Sequence, residues 1–229
     1  FDNKTTGKLG VKYNFSNDLN IFSNAGTAYN VPTLYQLYAP ATDWGNVGNA
    51  NLTPETTQSY DIGFGYKDLK ITYFHNTIED MIDWNDGYEN IDGESTFKGI
   101  EIAYKKDIFN DLLLSMNYTR LSAKDKDGKD LARRAKQTFK LGLDYYGIQK
   151  LHLGINGEYV GERKEYSWDG SVSAQTGRYT IANFVTNYEI TKELKIYAKI
   201  DNITDKEYQT IEGYSTSPRA YYAGVKYSF

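Results

Sequence analysis

The chain closes on "YYAGVKYSF", residues 221–229. Its odd positions, Tyr221, Ala223, Val225, Tyr227 and Phe229, form one apolar row, and Gly224, Lys226 and Ser228 fall between them. Period-two alternation is the pattern of a strand with two unlike faces. The apolar face meets either a protein core or lipid, and that choice decides the fold.

The same alternation recurs along the whole chain. Leu9, Val11, Tyr13 and Phe15 interleave with Gly10, Lys12 and Asn14; Tyr60, Ile62, Phe64 and Tyr66 interleave with Asp61, Gly63 and Gly65. Comparable runs start at Ile100, Leu112, Phe139, Leu151 and Leu194, and less regular ones cover 20–29, 69–82 and 179–190. These predict about eleven strands and no amphipathic helix. The second face mixes charges with repeated glycine, as a crowded, wet lumen would. Tyr or Phe stands often at strand ends, as in the aromatic girdles that bound the outward band of a membrane barrel.

Connection lengths choose between lipid and core. Short links at 16–18, 67–68, 107–110, 146–149 and 191–193 alternate strictly with long ones at 30–57, 85–94, 122–136, 160–177 and 202–220. An up-and-down meander in the outer membrane places short turns on the periplasmic rim and long loops outside. A soluble β-sandwich has no reason to sort its loops in this way. The sequence therefore predicts an all-β, antiparallel, up-and-down transmembrane β-barrel wall over residues 1–229, with its apolar face on lipid.

Composition agrees with that choice. The 229 residues include 22 Tyr, a side chain suited to a boundary between apolar and wet surroundings. No stretch approaches the roughly 18 apolar residues of a membrane helix. Mean hydropathy is −0.64, a value to which half-apolar barrel strands are blind. A net charge of −4 argues against nucleic acid as a partner. No nucleophile–histidine–acid set, phosphate loop or paired-carboxylate motif stands out, so no enzyme and no cofactor are expected. Eleven antiparallel strands leave the first and last parallel, which predicts part of a larger barrel and not a closed one.

Several stretches carry a family resemblance. "AYNVPTLYQLYAP" (28–40) with "NANLTPETTQSYDIGF" (49–64), "NTIEDMIDW" (76–84), "YENIDGESTFKGIEIAY" (88–104), "ARRAKQTFKLGLDY" (132–145) and "KIDNITDKEYQT" (199–210) stand in the order found in TonB-dependent outer-membrane receptors. The resemblance implies roughly 22 strands around a plug, of which this chain resembles the C-terminal half. It implies an outer-membrane location in a Gram-negative bacterium, surrounded by outer-membrane lipid and lipopolysaccharide. It also implies coupling to the TonB complex and, through the terminal Phe229, recognition by the barrel-assembly machinery.

Within the family, "LARRAKQ" (131–137) and "IEGYSTSPRAYYAGVKYSF" (211–229) resemble the cobalamin (vitamin B12) receptors most. The resemblance implies ligand contact by Arg133 and Arg134, taken as the outer end of a strand, and by Tyr166 and Tyr214 in long loops. A ferric-siderophore or haem receptor is the alternative, and a passive porin or adhesive surface barrel is a third. The loop 30–57 has no histidine, which counts against haem.

Other residues have plainer readings. "KDKDGKD" (124–130) lacks the spacing and closing Glu of a calcium hand and reads as a charged loop tip, so no metal is expected. Trp44, Trp84 and Trp168 fall in or beside long loops, as ligand-facing surface or as interfacial anchors. His75 and His152 lie on strands, far apart in sequence.

Overall fold

The structure is a computed structural model describing residues 4–42, 47–84, 87–167 and 170–229. Alternating residues build β1 (Lys8–Asn14), β2 (Leu19–Asn30), β3 (Glu55–Tyr66), β4 (Leu69–Glu79), β5 (Ile82–Trp84), β6 (Tyr88–Asn90), β7 (Glu94–Phe109) and β8 (Leu112–Lys124). They continue as β9 (Gln137–Ile148), β10 (Leu151–Val160), β11 (Arg163–Tyr166), β12 (Val172–Thr176), β13 (Tyr179–Glu189), β14 (Leu194–Asp201) and β15 (Ala220–Tyr227). Eleven of these form one antiparallel meander in the order β1-β2-β3-β4-β7-β8-β9-β10-β13-β14-β15. The pairs β5-β6 and β11-β12 are small separate hairpins inside long loops.

The eleven-strand expectation holds, with local differences. The run 69–82 breaks after Glu79, and its end joins the hairpin β5-β6. Strands β7 and β9 run on through the expected turns at 107–110 and 146–149, with register shifts that absorb the extra residues. A single turn of helix, α1 (Leu34–Tyr38), interrupts the first long loop, where no helix was expected. Thr33 and Gln36 close a capping box on it, which satisfies the first free N–H groups of a helix too short to persist alone. At the other end β15 stops at Tyr227, so Phe229 lies just beyond the ladder, fully exposed.

Register carries one apolar row across the sheet. Ile21 faces Phe64, Phe64 faces Ile71 and Ile71 faces Ile102. Further on, Met116 faces Leu141, Leu143 faces Ile155 and Ile196 faces Val225, all on the same face. A one-residue slip at any strand would turn its apolar set to the other side, so the pattern specifies the pairing.

Those apolar strand residues are open. Leu9, Tyr13, Ile62, Phe64, Ile155, Val225 and Tyr227 are all exposed. Among the described residues the buried hydrophobics are Leu37, Leu52, Met81, Ala123, Leu131, Val160 and Tyr179, which sit in the long loops or at the strand ends that enter them. No second sheet covers the apolar face among the described residues. A soluble sheet would leave that whole band in water, so the band is lipid-facing, and the opposite face lines the lumen.

The luminal face is polar and locally crowded. Lys140 pairs across the ladder with Glu158 at 3.3 Å. His152 contacts Asp144 through Nε2 at 2.7 Å and accepts from Asn187 Nδ2 at 2.9 Å on Nδ1, an arrangement that places the ring proton on Nε2. His75 and His152 each stack on a tyrosine, Tyr60 and Tyr146 respectively. They lie on different faces and make no shared site.

A candidate ligand-binding rim

The long loops fold back over the luminal side of the sheet's outer end. Met81, Ala123 and Leu131 form a small core there, packed by Ile78, Ile91, Phe97 and Leu121. Leu131 N donates to Ala123 O at 3.0 Å, fixing the loop 125–136 against β8. Asp125 Oδ1 accepts from the backbone N–H groups of Asp127 and Lys129, so it turns the tip of "KDKDGKD". That carboxylate is therefore occupied by the turn. Among the described residues no cluster of His, Asp and Glu could hold a metal ion.

Arg133 and Arg134 lie in the connection ahead of β9 and not on a strand, which corrects the sequence expectation. The alternation that would send neighbours to opposite faces does not act on them. Arg133 takes a left-handed φ of 60° and donates its backbone N–H to Lys164 O at 2.9 Å. Its Nε donates to Glu165 Oε2 at 2.9 Å, while Glu165 is only 4% exposed and its Oε1 has no partner among the described residues. Arg134 Nη1 donates to Ala132 O at 3.3 Å.

Asp130 is the anchor of the neighbouring network. Lys164 approaches it at 2.8 Å, Lys136 at 3.0 Å and Lys124 at 3.5 Å. Hydrogen bonds from Lys164 and Lys136 hold its carboxyl well below the usual carboxylate range, and the same contact raises Lys164. Tyr166 Oη donates to Asp130 O at 2.7 Å, and Lys129 Nζ lies 4.1 Å from the Tyr166 ring centroid. Burial pushes the Tyr166 phenol up. Glu162 pairs with Arg178 and sits 3.8 Å from Lys136.

These contacts frame a cleft of about 530 Å³ whose lining includes Trp84, Glu89, Arg133, Arg134 and Tyr166. Trp84 meets Tyr88 edge to face at 5.1 Å. The cleft thus offers two guanidinium groups and aromatic surface, beside the acids Asp83, Glu89, Asp125, Asp130 and Glu165, of which Asp130 and Glu165 are already held by basic side chains and Asp125 by its turn. Such a set can pair amide or phosphate oxygens and cover an apolar face.

Three of the residues expected from the sequence, Arg133, Arg134 and Tyr166, are brought together here. Tyr214 is not: it projects from the last long loop, 70% exposed, outside the lining of the cleft. A second, polar cleft of about 630 Å³ runs between that loop and β12, lined by Thr176, Tyr208, Thr216 and others. Trp44 and Trp168 lie outside the described residues. Sequence reading missed Glu165 and the structural part of Asp130. The charge run "ERKEY" (162–166) was the one available sign that an acid there could meet the arginine pair.

Comparison with known proteins places the chain. Residues 1–203 match the family described as TonB dependent receptor-like, beta-barrel. The vitamin B12 transporter BtuB of Vibrio cholerae is 30% identical over 240 residues, covering all of this chain and 38% of that transporter. BtuB of Photobacterium profundum is likewise 30% identical, again over 38% of its length. The chain therefore spans well under half the length of these relatives.

Solved structures share the fold. A ferric enterobactin receptor mutant (PfeA) from Pseudomonas aeruginosa superposes with a TM-score of 0.79 at 21% identity, over 98% of this chain and 40% of that one. The siderophore receptor PirA from Acinetobacter baumannii gives 0.78 at 19%, over 98% and 41%. The relatives are transporters and receptors, not enzymes, and proteins of the Gram-negative outer membrane. With its single lipid-facing meander and rim of long loops, the chain belongs to the TonB-dependent receptor-like β-barrel family.

Proposed function

We propose that this chain forms part of the wall and outer mouth of an outer-membrane receptor that imports cobalamin, with transport driven through the TonB complex. The observation that carries the reading is the 30% identity to vitamin B12 transporters over the full length of the chain. The rim cleft is chemically suited to the task. A corrin presents many amide oxygens, a phosphate and a broad apolar face. Arg133, Arg134, Tyr166 and Trp84 supply the complementary donors and aromatic surface, and Tyr214 adds a contact from the last loop.

The test is equilibrium binding to the full-length receptor in detergent, with cyanocobalamin and a ferric catecholate as separate ligands. The reading expects tight cobalamin binding. Arg133→Ala and Tyr214→Phe should each weaken it by roughly tenfold to a hundredfold, the value of a lost hydrogen bond to a charged or polar ligand group. Tight binding of the ferric chelate with none of cobalamin would overturn the ligand and leave the family assignment standing.

A further inference from the structure

The hairpin β11-β12 and the last long loop are stitched together at several points. Arg163 Nη1 donates to Thr210 O at 3.1 Å, and Ser173 Oγ donates to Glu212 Oε2 at 3.1 Å. Tyr208 packs on the buried Tyr179, with ring centroids 4.3 Å apart. Within the loop, the buried Asn202 side chain accepts from Lys206 N and donates to Lys206 O, both at 2.9 Å. Asp205 Oδ1 accepts from Arg219 N at 2.8 Å, and Thr216 Oγ1 donates to Tyr208 O at 2.8 Å. The walls of the cleft of about 630 Å³ between hairpin and loop are therefore held in place before any ligand arrives. Such preorganisation lowers the ordering cost of binding.

Those contacts leave part of the lining unused. Gln175 on β12, and Glu207 and Ser217 on the loop, are exposed. Among the described residues, none of their side chains holds a hydrogen bond or an ion pair. Thr176, also in the lining, is 8% exposed, and its hydroxyl has no partner among the described residues.

The chemistry of the lining selects a ligand class. Its one cation, Lys206, stands between the acids Asp205 and Glu207, so the cleft does not suit an anion. Asp205 is committed to Arg219 N, which leaves Glu207 as the free carboxylate, too little for a hard metal ion. Tyr208 is the single aromatic ring, and an apolar ligand would leave the hydroxyls and amides around it unpaired. What remains is a neutral ligand whose groups both donate and accept. The vicinal hydroxyls of a sugar fit that description. A carboxylate accepts from them, an amide does both, and Ser and Thr hydroxyls rotate to suit. The C–H face of a sugar ring packs on an aromatic surface such as Tyr208. The volume lies within the roughly 300–1,000 Å³ of small-molecule sites.

We propose that the cleft between β12 and the last long loop is a saccharide-binding site at the outer rim. Glu207 and Gln175 hold vicinal hydroxyls there, and Tyr208 supplies the ring surface. The site shares no lining residue with the arginine cleft and does not depend on the ligand imported there. The same sugar chemistry is presented by a free oligosaccharide and by the headgroup of a surface glycolipid.

The test is saturation-transfer NMR of the full-length receptor in a sugar-free detergent. Maltotriose and a dephosphorylated lipopolysaccharide core oligosaccharide, freed of its lipid, are the two probes. At least one should show transfer to its ring protons, and the one that does assigns the source. Gln175→Ala with Glu207→Ala should weaken the fitted affinity by roughly tenfold. Glu207→Gln, which keeps a group able to bind hydroxyls, should retain most of it. Both variants should keep the heat-dependent electrophoretic shift of a folded barrel and an unchanged cyanocobalamin affinity. Saturating cyanocobalamin should leave the saccharide signal in place. Transfer to neither sugar overturns the site, as does equal binding by wild type and the double Ala variant. Displacement by cyanocobalamin would put the cleft within the imported ligand's own site and likewise overturn the proposal.

Discussion

Arg133 and Glu165 meet across two long loops, Nε to Oε2 at 2.9 Å, with the carboxylate nearly sealed from solvent and its second oxygen unpaired among the described residues. The contact ties the connection ahead of β9 to the hairpin β11-β12. It also holds Arg133 in the lining of the cleft.

That geometry predicts non-additive loss. Arg133→Ala strands a buried carboxylate and should cost local stability about 1–3 kcal/mol. Glu165→Gln in the same background should recover part of that stability, but not ligand affinity. Hydrogen exchange of residues 163–176 in the two variants and the double variant, read as a double-mutant cycle, checks the coupling. Additive effects would show that the pair does not act as a unit.

The network around Asp130 predicts how the rim responds to acid. In the folded state hydrogen bonds from Lys164 and Lys136 depress its carboxyl below the unfolded value of about 3.9. Its stabilisation is therefore present in full above that value and lost as pH falls below it towards the folded value. Exchange protection in residues 125–136 should hold from about pH 7 to about pH 5 and fall away only below about pH 4. Asp130→Asn should remove much of that protection already at neutral pH. Unchanged protection in Asp130→Asn would refute the role of the network.

Neighbouring residues on β9 should respond in opposite ways to arginine. Leu141 faces Met116 and Gly157 on the lipid side, whereas Lys140 pairs with Glu158 in the lumen. Leu141→Arg should destabilise the full barrel in bilayers by roughly 2–4 kcal/mol, the cost of a basic residue at mid-depth. Lys140→Arg should be nearly silent. A reversible unfolding titration in vesicles measures both, and equal effects would invert the facing.

A glycine on the luminal face should resist even a methyl group. A Cβ on Gly63 would fall 2.4 Å from Ile71 O and 2.4 Å from Phe22 Cζ. The Phe22 ring fills that gap, with Lys70 Nζ 4.6 Å from its centroid. Gly63→Ala should cost about 1–3 kcal/mol, an overpacking effect, in the same vesicle titration. A neutral result would show that the ring shifts freely.

Sequence by itself determined the wall. Alternation such as Ile62-Gly63-Phe64 assigns each side chain a face because a strand has a period of two, and strict short–long spacing orders the strands as a meander. These are local properties, set within one strand or one turn. The rim was legible only in part. "LARRAKQ" marked Arg133 and Arg134 by resemblance, yet their backbone is a connection, and what fixes Arg133 is Glu165, 32 residues away. Asp130 is likewise bound by Lys164, which belongs to another loop. Such pairings follow from how loops fold over the sheet's end, and no periodicity encodes them.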